Sequence, residues 1–178
     1  MTIEIIQPYF LKRVRPVIQD EIRSLCKKPY PNHKRGCPNF GKKSGCPPQR
    51  LMLDQIIDVS VGGGPVYAIF NRFYFKKHCD RMRAIHPAWS QRQVECCLYW
   101  QGTAKKELKF LIWSFLLHYP NYVIVDCPEA AGVNVTETMK QVGIKLEWPP
   151  VNYTYQIVLA GIPIRPADPK PKQKASVN

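Results

Sequence analysis

The stretch Pro65-Val-Tyr-Ala-Ile-Phe70 is a continuous apolar run that begins directly after three glycines at residues 62–64. An apolar run of this length, preceded by turn residues and containing aliphatic and aromatic side chains, is typical of a strand buried in a sheet. It therefore predicts a buried β-strand, and the segments on either side determine what packs around that strand.

Three later segments predict further strands. Tyr122-Val-Ile-Val-Asp126 is short and β-branched, residues 144–148 follow a helix stop at Gly143, and residues 153–162 alternate between apolar and polar positions. Alternation with a period of two favours a strand that has one buried face. Together with the run before residue 70, these segments predict a small sheet.

Helices are predicted between these strands. We expect a short helix at residues 20–26, an amphipathic segment at 51–57, a basic helix at 75–86 and a helix at 136–142, while Ser90 is placed to cap a long helical region. The core-facing stripe of that region recurs at helical spacing and consists of Leu108, Leu111, Ile112, Phe115 and Leu116. The predicted fold class is mixed α/β (α+β), with one small mixed sheet, flanking helices and a metal-stapled Cys-rich loop near the N-terminus.

The length and composition predict one domain. With 178 residues and 45% apolar content, the chain can bury one sizeable core. We therefore predict a single domain at residues 1–163 and a disordered Pro- and Lys-rich tail at 164–178. No stretch approaches the about 18 apolar residues of a membrane-spanning helix, and no basic region precedes an apolar one at the N-terminus. These features predict a cytoplasmic protein without a membrane partner.

One segment near the N-terminus departs from this pattern, and we call it the Cys knuckle (residues 26–48). Its sequence is Cys26-Lys-Lys-Pro-Tyr-Pro-Asn-His-Lys-Arg-Gly-Cys37-Pro-Asn-Phe-Gly-Lys-Lys-Ser-Gly-Cys46-Pro-Pro. From Pro29 to Pro48 it has five prolines, three glycines and almost no large aliphatic residue, so it cannot build a hydrophobic core. Seven cysteines in a cytosolic chain favour metal binding over disulfides. We predict that a metal held by Cys26, Cys37 and Cys46 orders the knuckle.

The spacing of these cysteines favours an iron–sulfur cluster over zinc. Zinc knuckles usually pair ligands two to four residues apart, whereas ten residues separate Cys26 from Cys37 and eight separate Cys37 from Cys46. Wide spacings suit a cuboidal 4Fe-4S cluster, whose irons lie at separate corners, and the Cys-Pro steps resemble ferredoxin-type ligand runs. Zinc is the alternative metal, and ordinary free cysteines in a basic loop are the alternative to any metal.

Cys127 is the best candidate for a fourth ligand, because a strand end delivers it to a loop and Pro128 repeats the Cys-Pro step. Cys97 and an open iron corner are the alternatives. Cys96 and Cys97 are adjacent on a predicted helix and point in different directions, so at most one of them can share the site. Asp126 and Glu129 flank Cys127 and are candidates for an acid or base.

The charge of the chain predicts an anionic partner. The formal net charge is +13, and residues 1–50 contain eleven Lys or Arg against three acids. An anionic metal cluster, a nucleic acid or another polyanion is the natural counterpart of such a surface.

Two parts of the chain resemble a known family. In the knuckle, Cys26 is followed by Cys37-Pro-Asn-Phe-Gly-Lys42 and then by Cys46-Pro-Pro48, and near the C-terminus Pro128-Glu-Ala-Ala-Gly-Val-Asn-Val135 precedes a predicted helix. These elements resemble an uncharacterised, predicted metal-binding family, a domain of unknown function, whose members carry Cys, then Cys-Pro-x-Tyr/Phe-Gly-Lys, then Cys-Pro-Pro. The resemblance implies a bound metal and no particular reaction.

Three functions are compatible with these features. The first is an iron–sulfur protein that acts on a sulfur-containing or nucleotide-linked substrate, with an open iron that accepts sulfur. The second is a non-catalytic zinc or iron–sulfur module that binds nucleic acid through its basic surface. The third is a carrier of electrons or clusters. The charge favours the second function, and the ligand set favours the first or third.

Overall fold

Strand β2 (Val66–Phe73) lies in the middle of the sheet in the computed structural model, which describes residues 10–29 and 34–164. The buried strand predicted at 65–70 is confirmed and extends three residues further. The predicted tail, apart from its first residue Ile164, lies outside the described residues. Residues 30–33 of the Cys knuckle also lie outside them.

Four strands form this sheet in the order β1-β2-β4-β3. β1 (Leu11–Val14) and β4 (Thr154–Gly161) flank β2, and β3 (Val123–Val125) pairs with the far edge of β4. The predicted fold class, mixed α/β with one small sheet and flanking helices, is confirmed. All three pairings are antiparallel, however, where a mixed sheet was predicted. For the β3–β4 pair, the chain reverses through residues 126–153, of which 141–153 are irregular.

The helices occupy the connections between strands. They are α1 (Glu21–Ser24), α2 (Leu53–Ile56), α3 (Phe75–Ile85), α4 (Gln91–Val94), α5 (Gln101–His118) and α6 (Val135–Lys140), with 3-10 segments at Leu25–Lys27, Cys97–Tyr99 and Pro128–Ala131. Within the described ranges, every helix is too short or too polar to cross a membrane.

The long helical region predicted after Ser90 is divided into two helices. Trp100 causes the division, because its indole is buried against Phe73 and Phe75 and its Nε1 donates to the Glu95 carbonyl at 3.4 Å. At residues 95–100, the stabilisation gained by burying this side chain is larger than that lost by interrupting the helix. The capping prediction for Ser90 is confirmed, since Ser90 precedes α4 and forms a capping box with Gln93.

The two faces of the sheet bury different clusters. Ile69 and Val158 pack on α5 with Phe115, while Ala68 and Phe70 face a second cluster that includes Met139 of α6. Successive residues of β2 therefore point to opposite faces, as a strand requires. Both faces of the central strands are covered, which explains why β2 is almost continuously apolar.

The strand predicted at residues 144–148 is wrong. The Glu147 carboxylate instead accepts backbone N–H bonds from Val151 (2.9 Å), Asn152 (2.7 Å) and Tyr153 (3.3 Å), so the chain turns at this point. Pro149 and Pro150 have no N–H to donate to a sheet ladder. The apolar pattern of this segment reflects burial of Leu146 in the core rather than strand pairing.

This turn predicts a pH-dependent contribution to stability. The three N–H donors lower the pKa of Glu147 to about 2. Because that value lies below the roughly 4.3 of an unfolded glutamate, the contribution is fully present above about pH 4.3 and is lost as pH falls toward 2. We expect Glu147→Gln to lower the urea midpoint at about pH 6 and to make it less sensitive to acid. Glu137→Gln is the control, because Glu137 pairs with Lys140 on the surface; equal pH profiles for both variants would contradict this account.

Candidate metal centre

Gly36 brings the first two cysteines of the knuckle together. Its φ is +77°, and a Cβ at this position would lie 2.5 Å from the Cys26 carbonyl oxygen and 2.8 Å from Lys27 backbone atoms. Only glycine permits both the left-handed conformation and this close approach. The Cys37 N–H consequently donates to the Cys26 carbonyl at 2.7 Å, so these two residues are joined through the backbone.

Two turns connect Cys37 to Cys46. The Cys37 carbonyl accepts the N–H of Phe40 at 3.2 Å, and the Cys46 N–H donates to the Lys43 carbonyl at 2.9 Å. Gly41, at a φ of +72°, donates its N–H to the Pro47 carbonyl at 2.8 Å. Backbone hydrogen bonds thus set the turns of the knuckle between Cys37 and Pro47.

Backbone pairing brings the knuckle to the end of β3. The Gln19 N–H donates to the Gly132 carbonyl at 2.7 Å, and the Asn134 N–H donates to the Val17 carbonyl at 2.8 Å. Residues 17–19 lead directly into α1 and Cys26. This isolated antiparallel bridge between Ile18 and Val133 therefore holds the start of α1, and with it Cys26, near the loop that follows Cys127.

Two arginines attach the end of the knuckle to the rest of the domain. The Arg23 guanidinium donates to the carbonyls of Pro48 (2.8 Å) and Arg50 (2.9 Å). Arg50 in turn donates through Nη2 to Asp126 Oδ1 at 3.1 Å, directly beside Cys127. The buried Nε atoms of Arg23 and Arg50 have no hydrogen-bond partner among the described residues. These guanidinium groups connect α1, the knuckle and the end of β3.

The predicted fourth cysteine lies at this junction. Cys127 follows β3, and its carbonyl accepts the N–H of Ala130 at 3.0 Å as the 3-10 segment begins. Cys127 keeps contact with solvent, but the protein on its inner side desolvates the thiolate and raises its pKa. Asp126 and Glu129 raise this pKa further, Arg50 lowers it and Cys46 raises it.

The three knuckle cysteines interact with one another in the same way. Burial raises the pKa of Cys26, and the neighbouring thiols of Cys37 and Cys46 raise it further, followed by Glu129. Several thiolates at one place repel one another unless a cation offsets their charge. A bound metal ion supplies that cation and deprotonates the thiols that coordinate it. The donor chemistry of the four cysteines thus fits a metal–thiolate centre.

The separation of these groups bears on which metal fits. Among residues 10–29 and 34–164, no three His, Cys, Asp or Glu side chains lie close enough together to hold a single metal ion. A tetrahedral zinc site draws four ligands to about 2.3 Å from one atom, whereas a cuboidal cluster distributes its thiolates over several irons. The choice between a single ion and a cluster therefore rests on the spacing of Cys26, Cys37, Cys46 and Cys127 in the sequence.

A cavity of about 760 Å³ lies beside this group of cysteines. Cys26 and Cys37 line it together with Phe40 and several cations, and the Lys27 ammonium lies over the Phe40 ring at 5.0 Å from its centroid. The cations of the cavity wall are Lys27, Lys34, Arg35, Lys42 and Arg92. The thiols at the wall can therefore be reached from solvent by a small anionic molecule.

The structure separates the remaining cysteines from this group. Cys79 is buried in a small core cluster with Phe75 and Val94, and Cys97 is exposed in its own 3-10 segment. Asp126, the neighbour of Cys127, instead pairs with Arg50 just after the end of the knuckle. Of the two candidates for a fourth ligand, Cys127 is thus the one that lies beside the knuckle.

No pattern in the sequence predicts that three arginines belong to this site. Arg92 lies 46 residues after Cys46 and reaches the cavity wall from α4, and Arg23 and Arg50 acquire their roles through contacts across the fold. Asp126, predicted as a candidate acid or base, forms an ion pair with Arg50. Glu129 remains exposed to solvent on one side, yet the protein around its carboxyl raises the pKa.

Comparison with protein-family models, with curated proteins and with solved structures finds no match to this chain. The functional assignment therefore depends on the residues of this site.

Proposed function

We propose that this chain is a metal-binding protein that holds an iron–sulfur cluster, with 4Fe-4S favoured, through Cys26, Cys37, Cys46 and Cys127. The observation that supports the proposal is the set of contacts that attaches the knuckle to the end of β3: the Cys37 N–H donates to the Cys26 carbonyl, and Arg50, four residues after Cys46, pairs with Asp126 beside Cys127. All seven cysteines of the chain are free thiols, so none of the four is committed to a disulfide.

The charge around the cysteines supports this proposal. An iron–sulfur cluster bound by four thiolates carries net negative charge, and cations or N–H donors near its sulfurs stabilise it. Arg50 lies within electrostatic reach of Cys127, and Lys27 and Lys42 line the cavity next to Cys26 and Cys37. When bound, such a cluster supplies electron transfer or, at an iron without a protein ligand, a site that accepts sulfur.

The residues of this chain define what such a centre would do. Gly36 and Gly41 set the backbone turns that present the thiols, and Arg23 and Arg50 restrict movement of the knuckle relative to β3. The cavity gives a small substrate access to the thiols of Cys26 and Cys37. These features support a substrate-binding centre, such as one for a sulfur-containing or nucleotide-linked compound, over a carrier with a fully enclosed cluster.

Metal analysis tests the proposal directly. Protein purified without oxygen is expected to be brown and to contain about four iron and four sulfide per chain. The measurement combines iron, acid-labile sulfide and zinc determinations with a visible spectrum. About one zinc per chain in colourless protein would instead support the zinc alternative. Colourless protein that contains neither metal would contradict the proposal.

A second candidate function, nucleic-acid binding, is supported by a different surface. The exposed side of α3 carries Lys76, Lys77, Arg81 and Arg83, and Lys76 and Arg83 both pair with Asp80. Lys77 and Arg81 have no carboxylate partner among the described residues, which leaves two cations one helical turn apart for phosphate contacts. Under this alternative, affinity for an oligonucleotide falls steeply between about 50 and 200 mM salt.

We also infer that the protein acts in the cytosol. Seven free thiols are typical of a reducing compartment, because an oxidising one favours disulfides. The same reducing conditions preserve an iron–sulfur cluster that is partly accessible to solvent.

A further inference from the structure

The cavity beside Cys26 and Cys37 has walls from two parts of the chain. Of the ten described residues that line it, the Cys knuckle supplies nine and α4 supplies Arg92. Its volume of about 760 Å³ falls within the roughly 300–1,000 Å³ of pockets that bind small molecules.

The lining of this cavity has an unbalanced charge. Of the ten described residues that line it, five are cationic and none is acidic; the five are Lys27, Lys34, Arg35, Lys42 and Arg92. Within the described part of the chain, the ion pairs involve other cations, namely Arg23, Arg50, Lys76, Arg83 and Lys140. Five cations without carboxylate partners, around one concave surface, attract a ligand that carries more than one negative charge.

We propose that this cavity binds a phosphorylated small molecule of nucleotide size. Arginine recognises phosphate through two parallel N–H bonds, and Arg35 and Arg92 each offer such a fork, while the lysines add point charges. Pro38 and Phe40 provide apolar surface for the remainder of the ligand, which inorganic phosphate alone would leave uncovered. The inference rests on the proposed function in one respect, namely that a metal–thiolate centre lies at the wall of the cavity.

The lining favours a small ligand over a nucleic-acid chain. Proteins that bind single strands combine a cationic groove with several aromatic residues on which successive bases stack. In the described lining of this cavity Phe40 is the single aromatic side chain, which gives a surface for one base and not for successive bases. The cations of α3, with Lys77 and Arg81, belong to a separate surface.

Titration calorimetry on the full chain, purified without oxygen, tests the proposal with AMP, adenosine and inorganic phosphate as probes. We expect AMP to bind, phosphate to compete with it, and adenosine to bind at least about tenfold more weakly, because it lacks the charged hydrogen bonds. Arg92→Glu is expected to weaken AMP binding at least about tenfold. Arg92 is chosen because it lies outside the knuckle and offers no thiol to the proposed centre, and the iron content of each sample is measured beside its AMP affinity. Arg81→Glu makes the same change in charge outside the cavity and is expected to leave AMP binding unchanged.

Several outcomes overturn the inference: no binding of AMP, equal binding of AMP and adenosine, or equal AMP affinity in the Arg92→Glu variant and the wild type. Oligonucleotide binding that depends on Arg92 and that AMP does not displace also overturns it. The same experiments distinguish failure of the proposed function from failure of this inference. Metal-free protein that binds AMP in an Arg92-dependent manner contradicts the cluster and supports the anion site, whereas iron-containing protein that ignores AMP contradicts the anion site alone.

Discussion

Replacement of Cys37 by alanine is expected to yield colourless protein without bound iron or sulfide. Cys37 is the central cysteine of the knuckle, joined to Cys26 through its N–H and to Phe40 through its carbonyl. Loss of a group that merely orients a metal ligand already lowers metal affinity by about 10- to 100-fold, so loss of a ligand itself is expected to cost at least about 100-fold. Iron, sulfide and the visible spectrum, measured on wild type and variant purified side by side, check this expectation.

The same variant is expected to lose order in the knuckle alone. Because the binding free energy of a structural metal is also folding free energy, the knuckle loses most of its stabilisation with the metal. Trypsin is therefore expected to cleave the Cys37→Ala variant faster within residues 26–48, where basic residues are frequent, while residues 53–161 resist cleavage as in the wild type. Equal cleavage rates in wild type and variant would show that hydrogen bonds alone order the knuckle.

Two matched variants distinguish the candidates for the fourth ligand. Cys97→Ala makes the same chemical change at an exposed cysteine outside the cavity wall and is expected to retain iron. Cys127→Ala is expected to lose iron, since the Arg50–Asp126 pair attaches the residue beside Cys127 to the end of the knuckle. The opposite pattern would identify Cys97 as the ligand, and retention of iron in both variants would indicate an open corner. Retention of iron in Cys37→Ala itself would contradict the assignment of the knuckle.

The spacing of apolar residues along the sequence was sufficient to predict the helices and strands in which buried side chains recur at a regular interval. The strands β2 and β4 and the helices α3 and α6 lie where the sequence predicts them, because each buries one face or both against a continuous core. Residues 144–148 have a similar pattern but form no strand. There the Glu147 carboxylate captures three backbone N–H groups, an interaction that depends on the return of the chain at Tyr153.

The candidate site was predictable only where its residues are close in the sequence. The Cys-Pro steps and glycines of the knuckle predict a ligand loop, and the strand end before Cys127 predicts an accessible fourth thiol. The contacts between these parts were not predictable, because they depend on Arg23, on the Arg50–Asp126 pair and on pairing of residues 17–19 with the loop after Cys127. Each of these contacts joins positions far apart in the chain, and periodicity carries no information about them.

Replacement of Gly36 by alanine is expected to remove the metal while leaving all four thiols in the chain. An L residue at a φ of +77° costs about 1–2 kcal/mol, and the added Cβ would lie 2.5 Å from the Cys26 carbonyl oxygen, a distance that forces the backbone apart. The N–H bond from Cys37 to Cys26 cannot survive that displacement. Iron and sulfide per chain are therefore expected to fall to the level of Cys37→Ala, with a full count of free thiols under denaturing conditions.

The expected loss of metal in Gly36→Ala has two causes, the cost of the left-handed conformation and the steric clash of the added Cβ. Replacing two other glycines of the knuckle separates them. At Gly45 a Cβ would have open space and φ lies outside the left-handed region, so Gly45→Ala is expected to retain iron. At Gly41 φ is +72° but a Cβ also meets open space, so Gly41→Ala reports the conformational cost without the steric clash and is expected to give intermediate iron content. Full iron content in Gly36→Ala would mean that the contact between Cys26 and Cys37 is not needed for the metal. Because the variants share one chemical change, their order of iron retention tests whether the backbone approach at Gly36 builds the centre.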